Sequence, residues 1–146
     1  MIALVNGPNG MAIHRTYLSP DGLSKAVCAP NRMMLGRTAG GGVKLTDAPG
    51  PLTIAEGIET SLSLASGLLS GDGTIWATLS TSGTASFELP PHPGRLVIAT
   101  DGDRAGQEAG HKLGCRAVAA GWDVALLPAP DGKDWNDVLI EKVLCT

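Results

Sequence analysis

The chain has 146 residues, 43% of them hydrophobic and 17% charged, which provides for one domain with a real core and excludes a disordered polypeptide. Only 3% are aromatic, which excludes stacking of bases on aromatic rings as a main binding device; 20 glycines and 10 prolines imply many tight turns. The net charge of −3 is uneven: residues 1–46 carry five bases (Arg15, Lys25, Arg32, Arg37, Lys44) against Asp21, a net of +4, whereas the remainder carries 6 bases against 13 acids, a net of −7.

Along the chain, Ile2–Val5, the turn Asn6–Gly10 and Ala12–Leu18 read as two strands of a hairpin. The stretch from Lys25 to Lys44 keeps no sustained period and holds Pro30 and Gly40–Gly42, so it reads as a mostly irregular basic arm, closed by the break Asp47–Pro51. From Leu52 strands and helices alternate. Strands are expected at Leu52–Ala55, Thr74–Leu79, Leu96–Thr100 and Asp123–Leu127, and helices at Ile58–Leu69, Gly83–Glu88, Ala105–Ala120 and Trp135–Val143. Such alternation predicts an α/β fold with a mostly parallel sheet flanked by helices. Residues 1–51 would be the hairpin and arm, and 52–146 the core. Helical spacing marks Ile58, Leu62, Ala65 and Leu69 as one buried stripe and Ala105, Ala109, Leu113, Ala117 and Ala120 as another.

No apolar run reaches the roughly 20 residues of a membrane span, and Met1–Asn6 lacks the basic region of a leader, so a cytoplasmic protein is expected. Cys28, Cys115 and Cys145 are odd in number and widely spaced, which fits reduced thiols better than a disulfide framework or zinc site. His14, His92 and His111 share no ligand spacing. Tyr17, the single tyrosine, falls on the apolar pattern of a short strand and has no evident activating partner, which argues against a nucleophile.

The acids carry the chemistry. Glu56 follows the first core strand, and Asp101 and Asp103 follow the third. Ligands of open α/β sheets gather at the carboxyl ends of the strands, so these acids face one crevice. Residues i and i+2 of an extended segment project to one side, so Asp101 and Asp103 can reach one ion while Gly102 leaves the backbone unhindered. Clustered carboxylates repel unless protons or a cation neutralise them, and hard oxygen donors favour Mg2+ or Mn2+ over zinc. Asp103 equally suits a helix N-cap, as does Asp134 with Asp137 three residues on. Lys133, Asp134, Asn136 and Asp137 add polar groups at the same sheet edge, and Glu59 stands one helical turn beyond Glu56. The basic arm is compatible with a nucleic acid whose phosphates Arg15, Lys25, Arg32, Arg37 and Lys44 would contact; a solvated basic face accounts for the same charges.

Three segments, Leu52–Gly57, Ile98–Gly106 and Gly132–Leu139, resemble the Toprim domain shared by DNA primases, topoisomerases and some nucleases. The likeness is greatest to the Toprim module of bacterial, phage and mobile-element primases and primase-helicases. Ile13–Leu18 and Lys25–Leu35 resemble the segment that precedes this module in mobile-element primases. The resemblance implies a Rossmann-like Toprim sheet, with Glu56 as general acid, base or ligand. It also implies that Asp101 and Asp103 hold Mg2+, with Asp134 as an auxiliary ligand. Primases often carry an acid four residues beyond the glutamate, where this chain has Thr60. The implied activity is synthesis of an RNA primer on a DNA template from nucleoside triphosphates. A metal-dependent nuclease and a non-catalytic binding adaptor are the alternatives. Neither a zinc-binding template reader nor a Walker A motif is present in the sequence, so a zinc-binding or helicase partner is expected. A receiver domain and a dehalogenase-like phosphatase fit less well, because Glu56 arrives alone and Asp103 is followed by Arg104–Ala105.

Overall fold

The structure, a computed structural model, describes residues 1–69 and 71–145. The expected hairpin forms from β1 (Ile2–Gly7) and β2 (Gly10–Thr16), which pair antiparallel from Ile2↔Arg15 to Gly7↔Gly10. The arm that follows is more ordered than its composition implies. Arg32–Leu35 is β3, antiparallel to β2, and Val43–Lys44 is β4, antiparallel to β6 (Thr74–Ala77) in the main sheet. Four wholly exposed residues and a two-residue strand offer no alternation to read; only their distant partners define them. The two sheets meet at the glycine run. Asn6 and Gly42 exchange two backbone hydrogen bonds of 2.9 Å, and a Cβ on Gly41 would lie 2.5 Å from the Asn6 carbonyl oxygen.

The main sheet has the order β4-β6-β5-β7-β8, where β5 is Leu52–Ala55, β7 is Arg95–Thr100 and β8 is Asp123–Pro128. All its pairs are parallel except β4·β6. Strands covered by helices on both faces bury both sets of side chains, and β5 is buried at every residue. Among the described residues four α-helices flank the sheet: α1 (Ile58–Ser63), α2 (Thr81–Ser86), α3 (Arg104–Ala119) and α4 (Trp135–Leu144). α1 packs against α4, and α2 against α3. The main core joins Ile54, Leu96, Ile98 and Leu113, all without exposure, to Phe87 and Trp122. Each such side chain stabilises the fold by about 1.5–3 kcal/mol. A second cluster, Val5, Ala12, Val43, Ile58 and Ala77, welds the N-terminal sheet to the main one.

The helix expected over Ile58–Leu69 changes form at Leu64, continuing as a π-helical turn over Leu64–Leu68 with Gly67 at φ 111°. Ser61, Ser63 and Ser66 donate to the carbonyls of Gly57, Glu59 and Leu62 at 2.8–2.9 Å, a back-bonding that loosens the helical ladder. With their hydroxyls satisfied, Ser61 and Ser63 can be buried beside Ile58 and Leu64, which turns Leu62 and Ala65 outward and corrects the expected stripe. On α3 the buried stripe is Ala109, Leu113 and Ala117 with Gly106, Gly110 and Gly114, whereas Ala105 and Ala120 are exposed. Among the described residues no helix is long and apolar enough to cross a membrane. Cys28, Cys115 and Cys145 are free and exposed.

Candidate functional site

From β5 the chain passes through α1 to β6 on one side of β5, then through α2 to β7 on the other. The crevice between β5 and β7 is therefore the switch point at which α/β sheets bind ligands. The register Ala55↔Ala99 ends both strands at one rim, delivering Glu56 from β5 and Asp101 from β7. Leu79 pins the Glu56 backbone, donating from its N–H to the Glu56 carbonyl at 2.7 Å while held at φ 73°. A left-handed leucine is strained, and such strain persists where surrounding structure enforces it.

The Asp101–Gly102–Asp103 turn is strapped to the loop after β8. Gly102 donates to the Lys133 carbonyl at 2.8 Å, and Gly132 donates to the Gly102 carbonyl at 3.1 Å. A Cβ on Gly102 would overlap the Pro130 carbonyl oxygen, so glycine is required for the two loops to touch. This contact brings Asp134 into the field of Asp101.

Asp101 is half-buried, and burial, Asp134 and Asp103 push its pKa above the ordinary 3.8, with a further push from Asp137, while a hydrogen bond from the Thr60 hydroxyl pulls it back. Its Oδ1 is buried and has no hydrogen-bond partner among the described residues. Glu56 is raised above 4.5 by burial, Asp101 and Asp103, opposed by Arg32 and the Thr81 backbone N–H. For Glu59, burial pushes upward but is outweighed by the Lys25 ion pair at 2.7 Å, its own backbone N–H and Arg32, leaving the carboxyl below its ordinary value.

Several of the expected residues also do structural work. Asp103 caps α3, its Oδ1 accepting from Gly106 N–H at 2.6 Å. Asp134 and Asp137 form a reciprocal capping box on α4, at 2.8 and 3.1 Å. Lys133 is turned to Glu141, with contacts of 2.6 and 2.7 Å to its two oxygens, and the Asn136 side-chain amide lies 3.2 Å from the Ser63 hydroxyl. A carboxylate that caps with one oxygen keeps the other for a ligand.

Among the described residues no three His, Cys, Asp or Glu side chains converge closely enough to hold a metal by themselves. Mg2+ retains several waters and is bound by one or two carboxylates together with substrate phosphates. The donor set here, hard carboxylate oxygens with an orphaned Asp101 Oδ1, fits that mode of binding. A separate cavity of about 610 Å3, lined by Thr53, Gly73, Ile75, Arg95 and Val97, contains none of these acids.

The basic arm divides. Pairing Thr16↔Arg32 sets Arg32 on the inner face of the N-terminal sheet with His14 and Thr16, and its charge acts on Glu56, Glu59 and His14. Lys25 meets Glu59. The others lie elsewhere: Arg15 is on the outer face, Lys44 pairs with Asp47 at 3.0 Å and lies over Trp76, and Arg37 is exposed. Tyr17, expected on an apolar strand face, lies just past β2, 39% exposed, with its hydroxyl 3.7 Å from Met33 Sδ. Sequence reasoning gave no site role to the Thr81 N–H or to buried His14, and it noted Thr60 only as the neutral residue four positions beyond Glu56.

The arrangement has relatives. Residues 1–45 match the family model of a domain of unknown function (DUF7146). No protein of curated function matches the chain by sequence. The structure resembles a DNA primase domain from Pseudomonas aeruginosa (TM-score 0.51, 17% identity, 90% of this chain and 47% of that one). It also resembles the zinc-binding and RNA polymerase domains of the Aquifex aeolicus primase (TM-score 0.61, 17% identity, 96% of this chain and 36% of that one). The chain thus spans less than half the length of either. Residues 51–143, which contain β5 through nearly all of α4 and every acid of the crevice, match the family model described as Toprim domain, and the chain belongs to that family.

Proposed function

We propose that the chain is the catalytic Toprim module of a DNA primase, joining nucleoside triphosphates to a 3′-hydroxyl on a DNA template to make an RNA primer. The observation that carries this reading is the buried, unpartnered Asp101 Oδ1 in the same field as Glu56, both carboxyls raised by burial and by neighbouring acids. Arg32 offsets only part of that negative charge at Glu56. Asp101 and Asp103 would hold Mg2+, or Mn2+, with Asp134 auxiliary; the ion neutralises phosphate charge and stabilises the attacking and leaving oxygens when bound. Glu56, with its raised pKa, accepts the proton of the attacking 3′-hydroxyl. Lys25 and Arg32 flank the acids and supply positive charge for substrate phosphates, with Arg15, Arg37 and Lys44 available to more distant nucleic acid. A zinc-binding or helicase partner completes template recognition.

Incubating the purified chain with single-stranded DNA, labelled ribonucleotides and Mg2+ or Mn2+ tests the reading. New short oligonucleotides that disappear with Asp101→Ala support it. DNA cleavage without nucleotides assigns the site to a nuclease instead, and calorimetry that finds no divalent-cation binding leaves an adaptor.

A further inference from the structure

The N-terminal sheet has one face covered by the protein and one open to solvent. Its inner face sets Val5, Ala12, His14 and Thr16 against the rest of the protein, each at most 5% exposed. Residues paired across strands share a face. The pairs Ile2↔Arg15, Leu4↔Ile13, Asn6↔Met11, Ile13↔Leu35 and Arg15↔Met33 therefore collect Ile2, Leu4, Met11, Ile13, Met33 and Leu35 on the outer face, with Asn6 and Arg15 as polar members. That face is open: Ile2 is 73% exposed, Met11 75%, Leu35 61% and Leu4 49%. A sheet face meant for water carries polar side chains, and a continuous apolar one marks a protein contact.

Arg15 stands within this apolar face. Among the described residues its Nη2 reaches Met33 Sδ, at 3.7 Å, and its Nε is buried without an acceptor. A guanidinium N–H withdrawn from water is unfavourable until an acceptor arrives, and carboxylates are its best match. Lys25 pairs with Glu59, Lys44 pairs with Asp47 and Arg32 lies on the inner face, so the charge this outer face offers a ligand is that of Arg15. Size selects the shape of the occupant. Three strands spaced about 4.8 Å apart are roughly 10 Å across, and six or seven residues at about 3.3 Å give roughly 20 Å of length. One helix of about 10 Å diameter and about 14 residues covers that area.

We infer that the outer face of β1–β3 is the docking surface for an amphipathic helix of a partner protein, whose apolar stripe covers Ile2, Leu4, Met11 and Leu35 and whose Asp or Glu accepts from Arg15. A second copy of this chain fits less well, because a two-fold contact through this face sets Arg15 of one copy against Arg15 of the other and supplies no carboxylate to either.

Selecting from a displayed library of amphipathic helical peptides against the full chain tests this. The selected peptides carry a carboxylate within the apolar stripe. By fluorescence anisotropy they bind at least about tenfold more weakly to Arg15→Gln and to Leu35→Glu, and equally well to Asp101→Ala. Circular dichroism verifies that both surface variants keep the fold. The inference is overturned if no peptide is selected or if the selected peptides are indifferent to Arg15→Gln. It is equally overturned if the wild type sediments as a dimer that Leu35→Glu makes monomeric, or if Leu35→Glu abolishes binding to anionic phospholipid vesicles instead.

Discussion

The Thr60 hydroxyl donates to the Asp101 carboxylate, linking the first turn of α1 to the end of β7. Thr60 is 3% exposed. A neutral donor there restrains the Asp101 pKa, where a further carboxylate would raise it. Thr60→Val preserves the shape and removes the donor. The Asp101 pKa is expected to rise further in a carboxyl-detected NMR titration, with a stability loss of about 1 kcal/mol at neutral pH. An unchanged titration would separate Thr60 from the site.

The same carboxyls set the pH response of the metal-free protein. Asp101 and Glu56 have folded pKa values above their ordinary 3.8 and 4.5. For such groups the stabilising contribution is complete below the unfolded value and is lost as pH rises through the folded one. Stability in EDTA should therefore fall as pH climbs from about 4 through the raised values. Glu59 has the opposite sign, its contribution being lost as pH falls below 4.5. Glu56→Gln and Asp101→Asn should each flatten the upper decline in denaturation midpoints. A wild-type profile with no decline contradicts the electrostatic coupling.

A cation that relieves this repulsion stabilises the folded state. At a concentration 100 times its Kd, Mg2+ or Mn2+ should add about 2.7 kcal/mol. The expected rise in Tm is absent in Asp101→Ala. Equal rises in both proteins would place the ion elsewhere.

Glu56→Gln keeps the shape of the side chain and removes its proton-accepting charge. Folding should be retained while primer synthesis falls by about 10^2 to 10^4, the usual contribution of a general base. Single-turnover assays check this, and unchanged rates remove Glu56 from the mechanism.

Arg32 acts on acids and on a base, lowering the Glu56 and Glu59 carboxyls and also the buried His14 ring; His14 is held below 6.5 by burial, then by Arg32, with Glu59 opposing, and Glu56 and His14 give the cleanest pair to follow. Arg32→Gln should raise both pKa values, because a carboxylate loses a favourable neighbour and an imidazolium loses a repulsive one. Movement of only one resonance would show that Arg32 faces only that group.

What could be read from the sequence was local. Leu52–Ala55 and Leu96–Thr100 are continuous apolar runs because parallel strands under two helical layers bury both faces, and the acids at their ends follow directly. The caps at Asp103 and Asp134 were equally legible, since a cap is satisfied within three residues. The tertiary structure alone decided the rest. β3 and β4 exist through partners far along the chain, and the buried face of α1 is set by serines that satisfy their own hydroxyls. Lys25 meets Glu59, and Arg32 acts on Glu56, only because the cluster of Val5, Ala12, Val43, Ile58 and Ala77 packs the N-terminal sheet beside the crevice. Periods of 2 and 3.6 residues report which face of an element is buried, but carry no information on what that face meets.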